Sequence, residues 1–133
     1  MPYSELKVPA KLTVAVELPV NPVIILVLAM SDRAAYLGVD TEDDFCVFTI
    51  RGQSDTRIRD MLLYRPHDFS GCAVNRTSGD SLSIDFECNT GSLSEAISLL
   101  VQLRQPESIV TSRGTYPANS PNLTSRIRDG LFL

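Results

Sequence analysis

Tryptophan is absent from this chain of 133 residues, and histidine occurs only once, at position 67. Any acid–base or zinc scheme would therefore rest on His67, because no other side chain ionises near neutrality at its ordinary pKa. Pro66-His67-Asp68 can orient an imidazole and Cys72 follows five residues later, which is the most that nucleophilic chemistry is offered. The three cysteines, Cys46, Cys72 and Cys88, form no CxxC pair and meet no HxxxH pair, so the spacings of a zinc site are missing. Each lies in or beside an apolar stretch, and an odd set of this kind reads as buried free thiols in a reducing compartment. Gly52, Gly71 and Gly79 stand singly as turn glycines, with no glycine-rich phosphate loop. The apolar run over residues 23–30 is too short to span a bilayer and too far from the N-terminus for a signal peptide. Any contact with a membrane is expected at its surface. No cofactor, metal or small-molecule substrate is implied, and the chain reads as non-enzymatic.

The length suits one domain with one core. A composition of 44% hydrophobic and 21% charged residues, without low-complexity tracts, is that of a folded protein. Net charge is −4, which argues against a dedicated nucleic-acid binder. The cations are nevertheless almost all arginine, ten against two lysines, and arginine suits bidentate pairing with carboxylate or phosphate.

Leu12, Val14, Val16 and Leu18 alternate with Lys11, Thr13, Ala15 and Glu17, the pattern of a half-buried strand. After Pro19-Val20-Asn21-Pro22, residues 23–28 read as a strand buried on both faces, and the short link predicts an early hairpin between the two. Residues 45–50 predict another strand. Residues 57–64 fit a short helix or a strand, stopped by Pro66. Residues 72–75 and 81–88 predict paired strands around Thr77-Ser78-Gly79-Asp80, with Leu82, Ile84, Phe86 and Cys88 facing inward. Ser92 and Glu95 form a capping box for a helix over 92–104, whose apolar stripe is Leu93, Ala96, Ile97, Leu100 and Leu103, and Pro106 stops it. The expected architecture is α+β and mostly β: an antiparallel sheet or sandwich over 1–106 with one late amphipathic helix. Residues 107–133 follow as an extended Ser-, Pro- and Arg-containing C-terminal tail.

Arg51, Arg57, Arg59 and Arg65 fall within fifteen residues, opposed only by Asp55 and Asp60. They are the candidates for contact with phosphates of RNA or lipid headgroups. Arg104, Arg113, Arg126 and Arg128 lend the C-terminal segment a positive balance. Asp40, Glu42, Asp43 and Asp44 lack the alternation and closing glutamate of an EF-hand and read as a solvated loop. Asn75-Arg76-Thr77 and Asn122-Leu123-Thr124 match the glycosylation pattern, which matters only on secretion. In the tail, Tyr116-Pro117 with Leu123 is a loose version of a tyrosine-proline-leucine peptide, and Leu131-Phe132-Leu133 reads as packing back onto the sheet.

Several blocks in order resemble the small matrix proteins of bornaviruses. They are Tyr3-Ser4-Glu5-Leu6-Lys7, Arg33-Ala34-Ala35-Tyr36-Leu37-Gly38-Val39, Phe48-Thr49-Ile50 and Ser83-Ile84-Asp85-Phe86, followed by the helix from Ser92 with Ala96-Ile97 inside it. Residues 54–75 and the longer tail depart from that pattern. The resemblance implies a compact β-sandwich-like domain with a helix, related in shape to filovirus matrix domains. It also implies a homotetramer on the inner face of a virion envelope, touching an acidic membrane surface on one side and RNA or nucleocapsid on the other. The residues themselves also admit an acidic adaptor or immunity-type inhibitor, which would offer Asp40, Glu42, Asp43 and Asp44 to a single basic protein partner.

Overall fold

The computed structural model describes residues 23–64 and 71–132. These form β1 (Val23–Ser31), β2 (Ala35–Asp40), β3 (Phe45–Arg51), β4 (Met61–Tyr64), β5 (Cys72–Asn75) and β6 (Ser81–Thr90). Helix α1 (Leu93–Gln102), the strands β7 (Ser108–Thr111) and β8 (Gly114–Pro117), helix α2 (Leu123–Asp129) and a 3-10 turn at Gly130–Phe132 complete the described residues. The fold is mostly β, as the alternation of apolar and polar residues predicts, with two short helices rather than one.

All pairings are antiparallel, and the first six strands close on themselves in the order β1-β2-β3-β6-β5-β4 and back to β1. Closure follows from β1 using both edges. One edge pairs with β2 through Ile25–Met30, while the other takes β4 at Val23–Leu26 and β7 at Ala29–Ser31. The hairpin expected between residues 12–18 and β1 involves residues outside those described; among the described residues both edges of Ile25 and Leu26 are taken. Residues 12–18 themselves lie outside the described residues, as do Tyr3 to Lys7, Arg65, His67 and Leu133.

Strand side chains alternate between two faces, and both faces are apolar here. Ile25, Val27, Tyr36, Cys46, Phe48, Ile50, Leu62, Ala73, Leu82 and Ile84 fill the ring, drawn from all six strands. On the outside of β1, β2 and β3, a second core joins Leu28, Leu37 and Val47 to the buried stripe Ala96, Ile97 and Leu100 of α1, and to Ile109, Leu123 and Ile127. This explains the unbroken apolar run of β1. Two bulges keep the faces in phase. Leu28 is skipped between Val27↔Gly38 and Ala29↔Leu37, and Glu87 between Phe48↔Phe86 and Val47↔Cys88. The second bulge corrects one expectation. Phe86 meets Phe48 and Tyr64, with ring centroids 5.8 and 4.7 Å apart, yet stays 37% exposed, and Cys88 is turned toward the helices.

Ser92 caps α1 as its sequence predicts, its Oγ accepting from the Glu95 amide at 3.2 Å. The Glu95 carboxylate does not close the box, because it accepts from the Thr90 hydroxyl at 2.8 Å. The ambiguous stretch 57–64 resolves into a turn and then β4.

The expected tail is not a tail. Residues 108–117 form a hairpin through a two-residue turn at Ser112 and Arg113, and α2 buries Leu123 and Ile127 one helical turn apart. A single domain therefore runs through the boundary expected at residue 106. Four-residue strands and one buried i, i+4 pair leave too weak a periodicity to stand out from Ser-, Pro- and Asn-rich surroundings. Leu123 is buried and Tyr116 lies beneath the Arg126 guanidinium, so the tyrosine-proline-leucine elements do not form an exposed linear peptide.

Gly38 sits inside the ring, between Val27 and Cys46 on the neighbouring strands. A Cβ there would overlap the Ile25 Cγ2 and lie 3.0 Å from the Leu26 carbonyl oxygen. Gly38→Ala is expected to destabilise the fold by about 1–3 kcal/mol through overpacking, read as a lower urea midpoint with an unchanged slope.

Candidate functional site

The segment between β3 and β4 fills a gap on β1. Val27 lies between the stretches of β1 that pair with β4 and with β7, and its amide donates to the Asp60 carbonyl at 3.0 Å. Its own carbonyl accepts from the Arg59 amide at 2.8 Å. Residues 57–60 form the turn that makes these bonds, closed by the Asp60 amide on the Arg57 carbonyl at 3.1 Å. Arg59 occupies its third position at φ 74°, a conformation glycine adopts at least cost.

A buried polar cluster holds the turn. Asn75 is 1% exposed, and its Nδ2 donates to Asp60 Oδ2 at 2.9 Å. The same carboxylate oxygen accepts from the Arg57 amide at 2.9 Å. Asn75 Oδ1 accepts from the amides of Thr77 and Ser78 at 2.9 and 3.1 Å, which shapes the β5–β6 connection. One side chain thus ties the hairpin to the arginine-bearing turn. It also removes the first glycosylation pattern from use in the folded state, whereas Asn122 is exposed at the start of α2.

Beside this turn is an open cleft of ≈ 580 Å³, lined by Met30, Arg57, Ile58, Arg59, Val110, Thr111 and Ser112. Its arginines come from the turn and its far wall from the β7–β8 hairpin. Ser112 Oγ is buried beside Gly130 and has no hydrogen-bond partner among the described residues. Arg59 Nη1 donates to the Gly130 carbonyl at 3.0 Å, so it also fastens the C-terminal turn. Two arginines and several apolar side chains lining one open cleft suit an anionic ligand with an apolar portion.

The four sequence candidates divide. Arg57 and Arg59 share the cleft. Arg51 lies elsewhere, at the end of β3, where its Nε meets Asp85 of β6 at 3.1 Å and its guanidinium packs over Gly71. Arg65 falls outside the described residues. Ser112, Met30 and Val110 were not legible as site residues, because only the pairing of β7 with β1 brings them to the turn.

The acidic run is the β2–β3 turn. Asp40 Oδ1 accepts from the amides of Glu42 and Asp44 at 2.8 and 3.0 Å, and Asp43 sits at φ 64°. Asp40 and Asp43 also line a second hollow, of ≈ 460 Å³, with Leu26, Val39, Phe45, Leu131 and Phe132. Leu131 packs against the core there, as expected of the C-terminus, but the Phe132 ring is 81% exposed.

The cysteines differ in setting. Cys46 is buried, its Sγ 3.7 Å from the Gly38 carbonyl, while Cys88 is half-buried. Cys72 is exposed, against the expectation of three buried thiols, because it occupies an outward position on β5. Burial, helped by the Asp40 charge, pushes the Cys46 thiol up to about 12. Among the described residues no three His, Cys, Asp or Glu side chains gather as a metal site, and no helix is long and apolar enough to cross a membrane.

Asn75→Ala is expected to cost about 2–4 kcal/mol in urea denaturation, since it strips partners from the buried Asp60 carboxylate and from two turn amides. At pH 8.5 iodoacetamide is expected to modify Cys72 in the native protein and Cys46 only after unfolding. Because the folded pKa of Cys46 is raised, its contribution to stability is complete below pH 9.0 and is lost as pH rises toward about 12, which a pH series of melting curves would read. Compared with family models, with curated proteins and with solved structures, the chain matches none.

Proposed function

We propose that this protein is a non-enzymatic assembly protein of the viral matrix kind. In this reading it associates with itself and attaches to phosphate-bearing surfaces, namely RNA or nucleocapsid and the inner face of an acidic membrane. The observation that carries the reading is the open cleft that Arg57 and Arg59 line together with Met30, Ile58 and the β7–β8 hairpin. Arg59 stands at a left-handed turn position, where glycine costs about 1 kcal/mol less, and its guanidinium reaches from there to the Gly130 carbonyl. Lipid headgroups and RNA share the phosphate that such a cleft recognises, and the apolar floor accommodates either an acyl-chain neighbour or a base. For self-association the described residues leave the outer edge of β8 without a strand, and the Phe132 ring stands out from the surface.

A second reading, the acidic adaptor, draws on the other hollow. Asp40 and Asp43 on its rim and Phe132 on its wall suit a basic, partly apolar segment of one protein partner. It differs in outcome: a monomer in solution, indifferent to phosphate.

Light scattering of the full chain, with binding to single-stranded RNA and to phosphatidylserine vesicles at 50–300 mM salt, separates the two. The matrix reading expects a tetramer and binding that weakens with salt through counterion release. Arg57→Gln is expected to weaken phosphate binding by roughly 3–10-fold and to reduce the salt slope by about one, while Arg51→Gln leaves it unchanged. A monomer that binds neither probe at the lowest salt would overturn the reading. Equal losses from both substitutions would remove the cleft as its site.

A further inference from the structure

Four arginines from three segments meet around the β7–β8 turn, whose two central residues are Ser112 and Arg113. Arg57 and Arg59 line the cleft together with Ser112. Arg59 also bonds the Gly130 carbonyl, and Gly130 lies so near that a Cβ on it would stand 3.2 Å from Ser112 Oγ. One residue earlier, Asp129 Oδ2 is 3.8 Å from Arg113 Nε. The Tyr116 hydroxyl donates to the Arg113 carbonyl at 3.4 Å, and the Arg126 guanidinium covers the Tyr116 ring, 5.8 Å from its centroid. These contacts run without a break from the cleft to Arg126. The turn between them is fixed, because the Thr111 hydroxyl accepts from the Arg113 amide and donates to the Gly114 carbonyl, both at 3.0 Å. All four arginines are exposed. Among the described residues Arg57, Arg113 and Arg126 make one ion pair, the long and half-exposed contact with Asp129. The Asp60 carboxylate is committed to the Asn75 cluster. Arg104 stands apart, bonded to the Arg33 carbonyl at 2.9 Å.

We infer that Arg113 and Arg126 extend the cleft into one continuous basic face, and that this face rests on the headgroups of an acidic membrane. The inference rests on the phosphate-binding reading of the cleft, and it selects lipid over RNA as what this face meets. Positive charge drawn from three segments and little compensated is complementary to an anionic surface, where each arginine strengthens attachment by roughly fivefold. Two observations favour lipid. The apolar side chains lining the cleft are the aliphatic Met30, Ile58 and Val110, with no ring on which a base could stack. Such a lining suits the glycerol and upper acyl region that adjoins a headgroup phosphate. The other observation is the distribution of charge. The whole chain carries −4, and Asp40, Glu42, Asp43 and Asp44 crowd the β2–β3 turn, which contributes no residue to the cleft. A membrane touches the protein on one side and leaves such a turn in screened solution, whereas a polyanion tracking over the surface meets it.

The test is co-sedimentation of the full chain with phosphatidylcholine vesicles made with or without phosphatidylserine, beside binding to single-stranded RNA. The expected result is attachment that requires phosphatidylserine. Arg113→Gln and Arg126→Gln are each expected to weaken it by roughly fivefold, and the pair by roughly 25-fold. Arg104→Gln, a charge change away from the face, should leave attachment as it was. Arg113→Lys and Arg126→Lys keep the charge but lose the planar contacts with Asp129 and Tyr116, and they should hold attachment within about twofold of the native protein. Losses from lysine as large as those from glutamine would mark a structural effect and overturn the inference. Attachment that falls with Arg57→Gln but not with the Arg113 and Arg126 variants would also overturn it, while leaving the cleft as a phosphate site. RNA binding that the Arg113 and Arg126 variants weaken, with vesicles left unbound, would give the face to RNA and overturn the choice of lipid. Failure of the native protein to bind either probe would overturn the cleft reading and this inference together.

Discussion

Strand β1 is paired on both of its edges, with β2 over Ile25–Met30 on one and with successive partners on the other, and the rest of the molecule is arranged by that constraint. Its first edge carries β2, and its second is shared among β4, the turn at residues 57–60 and β7. A strand that must serve four neighbours closes the sheet, since the chain leaving on the β2 side returns through β3, β6 and β5 to the β4 side. It also has to be apolar on both faces, one lining the ring and one lying under α1 and α2. The β-branched composition and the absence of charge in β1 follow from these two demands. The bulge at Leu28 lets one strand meet both cores without losing phase with β2.

The handover on the second edge generates the candidate site. Between β4 and β7 a single residue, Val27, bonds to the 57–60 turn, and that turn cannot be regular strand because it must also reverse the chain into β4. Asn75 and Asp60 stabilise it from within, each using more than one hydrogen-bonding atom or lone pair. A fully connected buried polar cluster of this kind is rigid, and it presents Arg57 and Arg59 in a defined orientation. The C-terminal turn is fastened to the same place through Arg59 and Gly130, which brings the last residues of the fold into contact with the first strand. Rigid backing and charged, partly apolar lining are the two properties the proposed phosphate contact requires.

Legibility differed from element to element for physical reasons. The strand expected over residues 81–88, which runs to Thr90, and the helix with its Ser92 cap were visible because alternation, periodicity and capping are local. The face of Cys88 was not, since a bulge is set by the partner strand and leaves no mark on the residue pattern of its own. Residues 108–129 read as a tail because each element there is short and stabilised by contacts distant in the chain, such as Ile109 against β1 and Leu123 and Ile127 against the outer core. The arginine cluster was found, yet its proximity in sequence overstated its proximity in space. Arg51 is taken up by Asp85 at the far end of β3. The acidic run was placed correctly as a loop, and its Asp40 carboxylate proves to be occupied by the turn's own amides.

By itself the sequence determined a single mostly β domain with a late amphipathic helix, the turns at its acidic and Gly79 segments, and the candidate arginines at positions 57 and 59. These are properties of neighbours within a few residues, where side-chain periodicity and turn chemistry act directly. Only the tertiary structure decided the closure of six strands into a ring, the incorporation of the C-terminal hairpin, and the meeting of Arg57 and Arg59 with Ser112 on one cleft, 55 and 53 positions further along the chain. Those depend on which strand occupies which edge of β1, a competition between distant segments for the same hydrogen bonds, and no local pattern records its winner.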